Sequence, residues 1–201
     1  MSDEDGGDAT IDAYEAGMDA YLAAQGDQPA MVVRWLERFA AALPPSGRVL
    51  EIGSGPGRDA DLLEGRGLHV QRSDATRAFA DRLRSRGHAV LDLDVRRDPL
   101  PADLDGVLAN AVLLHLDREE LPSALQRIRA ALAPGGVLAF SMKEGDGEEW
   151  STAKLGRPRR FTYWRADALR AAVTGAGFAV LSLERAAGRS DDWLQVLAAA
   201  G

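Results

Sequence analysis

No cysteine occurs in the 201-residue chain, which removes disulfides, thiolate metal ligands and cysteine nucleophiles together. Histidine is scarce too: His69, His88 and His115 lie far apart with no metal-ligand spacing, and no metal is expected. Positive charge is in deficit, with 24 Lys and Arg against 31 Asp and Glu for a formal charge of -7. A nucleic-acid footprint normally needs a basic face, and the cluster Arg157, Arg159 and Arg160 is the local exception. No apolar run approaches the ~20 residues of a membrane span. The acidic start Met1-Ser2-Asp3-Glu4-Asp5 lacks the basic-then-apolar layout of a signal peptide, so a cytoplasmic address away from membranes is expected. There is no internal repeat. The 46% hydrophobic and 27% charged content belong to a soluble globule. A chain of this length buries roughly 68–75% of its surface on folding, so a single domain is expected.

What the chain does have is a stretch that organises the rest: Val49-Leu50-Glu51-Ile52-Gly53-Ser54-Gly55-Pro56-Gly57-Arg58-Asp59-Ala60. Val49, Leu50 and Ile52 read as a short buried strand, three glycines follow at alternate positions, and a helical apolar pattern begins at Asp59. A turn of this kind at the carboxyl edge of a parallel strand is where open α/β sheets bind ligands. Dinucleotide folds want Gly-x-Gly-x-x-Gly, with glycine or alanine where Arg58 stands. A carboxylate at Glu51 repels a pyrophosphate but attracts an ammonium group, directly or through water. Glu-x-Gly-x-Gly-x-Gly, closing an apolar strand, resembles motif I of the class I S-adenosylmethionine-dependent methyltransferases. A nicotinamide-dependent oxidoreductase is disfavoured by Arg58 and Glu51.

Around this stretch the chain reads as follows. Residues 1–8 are acidic and nearly free of large apolar groups, and are expected to be a flexible tail. The remainder, 9–201, is expected to be the single domain. Ile11, Tyr14, Met18, Tyr21 and Leu22 recur at helical intervals, and Pro29 starts a second helix with Met31, Val32, Trp35, Leu36 and Phe39 on its apolar face. After the glycine loop and its helix, Leu68 to Gln71 leads to Asp74-Ala75, 21 positions beyond Gly53. An acidic residue about 20 positions past the glycine turn accepts hydrogen bonds from ribose hydroxyls, although Asp74 could equally cap the following helix. Ala89 to Val95 reads as a third strand whose exit carries Asp94 and Val95. A carboxylate there suits an adenine amino group, and Asp94 is preferred to Asp92 as nearer that exit. Leu104 to Asn110 reads as strand four, with Ala111, Leu113, Leu114 and His115 directly after it.

Several of these stretches extend the likeness. An aspartate entering strand four, a small or polar residue leaving it, and the run Leu132-Ala133-Pro134-Gly135-Gly136-Val137-Leu138 are similar to the same methyltransferase family. So is Ala-Gly-Phe before a strand near the carboxyl end. The resemblance runs from about Val49 onward and implies an α/β fold: a Rossmann-like, seven-stranded, mostly parallel sheet with the last strand antiparallel. Helices would cover both faces, with an N-terminal helical cap over residues 9–43. It implies S-adenosylmethionine as cofactor and S-adenosylhomocysteine as its product. Glu51, Gly53, Ser54, Gly55, Gly57, Asp74, Ala75, Asp94, Val95, Asn110 and Ala111 would hold the donor. Tyr14 and Tyr21 would close over it or else pack in the core.

The acceptor side is less constrained. His115 is the one histidine expected at the sheet's ligand edge, either as a general base or as a residue orienting the turn after strand four. Residues 141–165 form a long polar insertion with clustered aromatics, expected to be a substrate lid. Lys143, Trp150, Arg157, Arg160 and Tyr163 are its candidate acceptor contacts. The leading reading is methyl transfer to an oxygen or nitrogen, less readily a carbon, of a small molecule. An RNA or peptide methyltransferase using the arginine patch, and a donor-binding module without turnover, stay open.

Overall fold

The computed structural model describes residues 4–188 and 190–201. Two helices, α1 (Glu4–Ala23) and α2 (Ala30–Ala41), precede the sheet. The elements β1 (Arg48–Ile52), α3 (Arg58–Glu64), β2 (His69–Asp74), α4 (Arg77–Ser85), β3 (Val90–Asp92) and β4 (Leu104–Ala109) then alternate. A short 3-10 turn at Leu113–His115 leads into α5 (Glu120–Ala131) and β5 (Leu132–Lys143). A hairpin of β6 (Glu148–Ser151) and β7 (Arg159–Thr162) follows, then α6 (Ala166–Gly175), β8 (Phe178–Ala187) and β9 (Asp192–Ala200). The described residues form a seven-stranded sheet in the order β3-β2-β1-β4-β5-β9-β8, with β6 and β7 paired separately. Every pairing from β3 across to β5 is parallel, and β9 runs against both of its neighbours. This is the Rossmann-like sheet expected, with its last strand antiparallel.

The central strands are mostly apolar because both faces are covered, as parallel sheets require. Successive side chains point to opposite faces. Leu50, Ile52, Val107, Leu138 and Phe140 join the core under α5 and α6, while Val49, Leu108, Val137 and Ala139 join Trp35, Leu36 and Phe39 of α2. Gly106 lies on the α2 side, where a β-carbon would meet Phe39 Cζ at 2.8 Å and Leu43 Cδ1 at 2.9 Å. Phe39 is fully buried and has little room to retreat. Gly106→Ala is therefore expected to destabilise the fold by about 1–3 kcal/mol through overpacking; an unchanged urea midpoint would show that α2 packs less closely.

Four boundaries differ from the sequence reading. The first helix begins at Glu4 rather than after a tail ending at Asp8, and Asp8 is drawn in by ion pairs to Arg96 and Arg97; residues 1–3 lie outside the described residues. The third strand stops at Asp92, so Asp94 lies in the loop beyond it. Helix α5 passes into β5 without a separate turn. Leu104 pairs with Leu132 and Gly106 with Val137, so the intervening Ala133-Pro134-Gly135-Gly136 is absorbed as a bulge. The last two strands extend beyond their apolar cores because each supplies the other's hydrogen bonds over most of its length. Among the described residues, no helix is long and apolar enough to cross a membrane.

Candidate active site

At the carboxyl ends of β1 and β4 the chain departs in opposite directions across the sheet, leaving the crevice in which such folds take ligands. The loop from β1 to α3 lines it. Gly53, Gly55 and Gly57 have φ of 68°, 50° and 87°, a region that side chains disfavour. A β-carbon on Gly53 would stand 2.6 Å from Val112 Cγ2, whereas the space beside Gly55 is open. Gly57 starts α3. Asp74, at the end of β2, clasps this loop: one carboxylate oxygen accepts from the Gly55 N–H and the other from the Thr76 N–H, each at 2.8 Å. Burial pushes the Asp74 pKa up, against those two N–H bonds. Ser54 ties the loop to the same strand, its N–H donating to Ser73 O at 2.8 Å and its Oγ accepting from Ser73 N at 3.2 Å.

A cavity of about 360 Å³ opens over the loop. Gly53, Ser54 and Gly55 form its floor, Asp74 and Ala75 one wall, and Asp94 with Val95 the end beyond β3. Asn110 and Ala111 line the opposite wall at the tip of β4. Asn110 donates to Asp59 Oδ2 at 2.7 Å and accepts from Ser141 Oγ at 2.7 Å, and the same Oγ accepts from the Ala111 N–H at 2.9 Å. Ala111 is held at φ 56°, an uncommon conformation for a residue with a side chain, of the kind that gathers at functional sites. Tyr14 and Tyr21 form the roof and pack edge-on against one another at 5.7 Å, with Phe79 at 5.6 Å from Tyr21. The two rings thus line the cavity and pack on one another.

Two carboxyl groups are set apart by their surroundings. Glu51 is buried beneath the loop, off the cavity wall, and its Oε2 has no partner among the described residues. Burial, with the neighbouring Asp59 charge, pushes its pKa up to about 8. Asp94 goes the other way: burial opposes ionisation, but hydrogen bonds from Arg96 and Arg97 prevail and hold the carboxyl below its ordinary value. Asp92 lies outside the cavity in an ion pair with Arg84.

Away from the glycine loop the cavity is walled by Lys143, Phe161, Arg159 and His115. His115 is half-buried with both ring nitrogens occupied. Nδ1 lies 2.5 Å from Arg160 O, so it carries the proton, and Nε2 accepts from the Tyr14 hydroxyl at 3.1 Å. Burial lowers its pKa to about 4, and it is neutral at physiological pH. Lys143 Nζ sits 4.2 Å from the Phe161 ring centroid and 3.1 Å from Asp191.

Comparison with known proteins now bears on this geometry. The methyltransferase domain family matches residues 23–183, most of the chain. The chain belongs to that family. Trans-aconitate 2-methyltransferase of Variovorax paradoxus (strain S110) is 35% identical over 163 residues, 75% of this chain and 61% of its own length. The chain thus spans less than two thirds of the curated relatives it matches. Among solved structures, magnesium protoporphyrin IX methyltransferase from Synechocystis PCC 6803, with bound S-adenosylmethionine, superposes with a TM-score of 0.76 at 16% identity. The match covers 100% of this chain and 98% of that one. The Burkholderia thailandensis 1,6-didemethyltoxoflavin-N1-methyltransferase, with bound 1,6-didemethyltoxoflavin and S-adenosylhomocysteine, gives 0.65 at 23% identity over 83% of this chain and 78% of that one. At such identities the likeness is one of fold.

The methyltransferase cavity takes in most of the residues the sequence singles out and leaves some aside. Glu51 and Gly57 support the loop from behind. Trp150 is 48% exposed on the hairpin, Tyr163 donates its hydroxyl to Glu149, and Arg160 is ion-paired to Asp117 and Glu148. None of these lines the cavity, nor does Arg157. Arg159 does, whereas the sequence points to its neighbours Arg157 and Arg160. Its signal lies in the period of two along β7: the apolar Phe161 faces inward, so the residue two places before it must do so as well.

Proposed function

We propose that this chain transfers a methyl group from S-adenosylmethionine to an oxygen or nitrogen of a small molecule. One observation carries the reading: a single cavity joins the glycine loop and Asp74 to Lys143, Phe161 and Arg159, so that donor and acceptor can meet within it. The chain's groups suit the donor. Asp74 presents carboxylate oxygens where ribose hydroxyls would donate, and Val95 gives an apolar surface for a base beside Asp94. Glu51, buried near the loop with its Oε2 partnerless, would attract the donor's ammonium through water. When bound, S-adenosylmethionine supplies a methyl made electrophilic by its positively charged sulfur. Asn110 and Ala111, fixed by Ser141, shape the wall beside that sulfur, and the Tyr14–Tyr21 roof excludes water.

Positioning of this kind can supply ~7–11 kcal/mol of a barrier, and the site is chiefly a holder. His115 orients Tyr14 and the turn after β4. The β6–β7 hairpin walls the acceptor end. A nucleic-acid acceptor is disfavoured by the net charge of -7 and by the ion pairs that occupy Arg160. The relative named for trans-aconitate makes that compound the first acceptor to try. Purified protein with labelled donor and a small-metabolite extract should yield a methylated metabolite together with S-adenosylhomocysteine. Donor binding without product across a broad acceptor panel would overturn the proposal.

A further inference from the structure

We infer that the acceptor is a small organic carboxylate, gripped by Arg159 with Lys143 and methylated on a carboxylate oxygen. The inference rests on the methyl-transfer reading above and names the substrate class of that same cavity.

Arg159 is the starting point. Two arginines are deeply buried among the described residues, Arg72 at 3% exposure and Arg159 at 4%. Arg72 meets Asp61 and Glu64, each at 2.7 Å. Arg159 has no carboxylate partner among the described residues. Its two terminal nitrogens donate to the Tyr14 hydroxyl and to the Ala153 carbonyl, and its Nε is buried without any partner. A buried cation without a carboxylate partner is unfavourable and is only partly offset by the Tyr14 and Phe161 rings at 5.3 and 5.0 Å, yet the fold keeps this one on the wall of an open cavity. A planar guanidinium on a cavity wall, engaged by no carboxylate among the described residues, is the natural receptor for a ligand carboxylate. Its chain neighbour Arg160, already neutralised by Asp117 and Glu148, is no such receptor.

Lys143 adds a second positive group to the same end. Its Nζ stands 4.2 Å from the Phe161 ring centroid, and the Arg159 guanidinium carbon stands 5.0 Å from that centroid. The two cations therefore share one aromatic floor. Asp191 takes one of the three ammonium donors of Lys143 and leaves the others.

Neither His115 nor Tyr14 serves as a base at this end, which fits the same acceptor. His115 spends both nitrogens within the protein and is a weak base, while burial pushes the Tyr14 pKa up to about 12, so its hydroxyl stays protonated. An alcohol or ammonium acceptor must surrender a proton to something; a carboxylate, already ionised at pH 7, need not. Its oxygen lone pair forms the O–CH3 bond as the S–CH3 bond breaks, and that bond's electron pair returns to sulfur. The negative and positive charges vanish together, giving a methyl ester and S-adenosylhomocysteine with no proton released.

Two readouts test this. In the first, labelled methyl is transferred into the small-metabolite extract and the products are treated with alkali. Esters release methanol, so most of the label should become volatile. Label that survives alkali overturns the inference while leaving methyl transfer standing, and no transfer to any metabolite overturns both. In the second, di- and tricarboxylates, trans-aconitate included, are titrated calorimetrically into the S-adenosylhomocysteine complex, beside their amides. At least one carboxylate should bind and its amide should not. Arg159→Gln should weaken that carboxylate about 30-fold, the scale of a lost charge-assisted pair, and Arg159→Lys less, with S-adenosylhomocysteine affinity falling by a much smaller factor in both. Lys143→Gln, at a less buried position, should weaken it about tenfold. Equal binding of acid and amide, or carboxylate affinity indifferent to both positions, would overturn the inference.

Discussion

Asp74→Ala is expected to weaken S-adenosylhomocysteine binding by about 100-fold or more while the sheet remains folded. The carboxylate has two duties. Toward the protein it accepts from the N–H groups of Gly55 and Thr76, which keeps the glycine loop against the end of β2. Toward the donor, on the function proposed above, its remaining lone pairs would accept from ribose hydroxyls. Hydrogen bonds to a charged group are worth ~1.5–3 kcal/mol each, and a factor of 100 corresponds to ~2.8 kcal/mol, so the loss of one or two such bonds accounts for the effect. The substitution also strands two N–H groups, that of Gly55 over the cavity, where water can reach it, and that of Thr76 in a buried position, so a drop in melting temperature should accompany the loss of affinity. Asp74→Asn is the sharper control, because it keeps the shape and one acceptor oxygen. It should recover the melting temperature more fully than the affinity. Calorimetry beside thermal unfolding separates the two effects, and wild-type affinity in Asp74→Ala would remove the ribose assignment.

Glu51→Gln should move stability and binding in opposite directions. Burial raises the Glu51 carboxyl from the ordinary 4.5 to about 8 in the folded protein. Between those values the native state holds a proton that the unfolded chain gives up, so this group's contribution is fully present below pH 4.5 and is lost as pH rises through about 8. Glutamine cannot ionise and removes that slope. The ligand-free variant should therefore melt at least about 2–4 °C above wild type at pH 8.5, the shift that 1 kcal/mol produces in a chain of this size. Near pH 4 the two should coincide. Donor binding should respond the other way: an ammonium group favours the ionised carboxylate, so wild-type affinity should rise between pH 6.5 and 8.5. The variant should stay flat and about tenfold weaker at the upper end, the equivalent of ~1.4 kcal/mol. A variant that is no more stable at alkaline pH and equally tight for the donor would show Glu51 to be an inert buried acid.

Much of this arrangement was legible in the sequence wherever the information is local. The apolar run Val49–Ile52 with glycines at alternate positions declares a strand and a turn in one stretch. The spacing to Asp74 follows from a fixed unit of helix and strand, and Asn110 lies where a buried strand runs out of apolar residues. What was not legible depends on distant partners. His115 looks like a free imidazole in sequence. Its state is set by Tyr14, 101 residues away, and by the Arg160 carbonyl, 45 residues away. Helical periodicity identifies α1 but not the sheet edge it will cover. That position follows from contacts such as the Thr10 hydroxyl accepting from the Arg160 N–H at 3.1 Å and the Glu15 carboxylate accepting from Ala78 N at 3.1 Å. Arg159 was hidden for another reason. In a cluster of three arginines within four residues, only the alternation of a four-residue strand separates the inward one from its exposed or ion-paired neighbours.

The account depends most on the loop after β1 and the tip of β2 forming one cradle for an adenosyl compound. A crystal structure of the S-adenosylhomocysteine complex tests that directly. Its ribose hydroxyls should lie within hydrogen-bond distance of the Asp74 carboxylate, with its amino-acid end over Gly53 to Gly55 and its sulfur beside Asn110. Ligand bound elsewhere, with the Asp74 carboxylate still engaged only by Gly55 and Thr76, would contradict it.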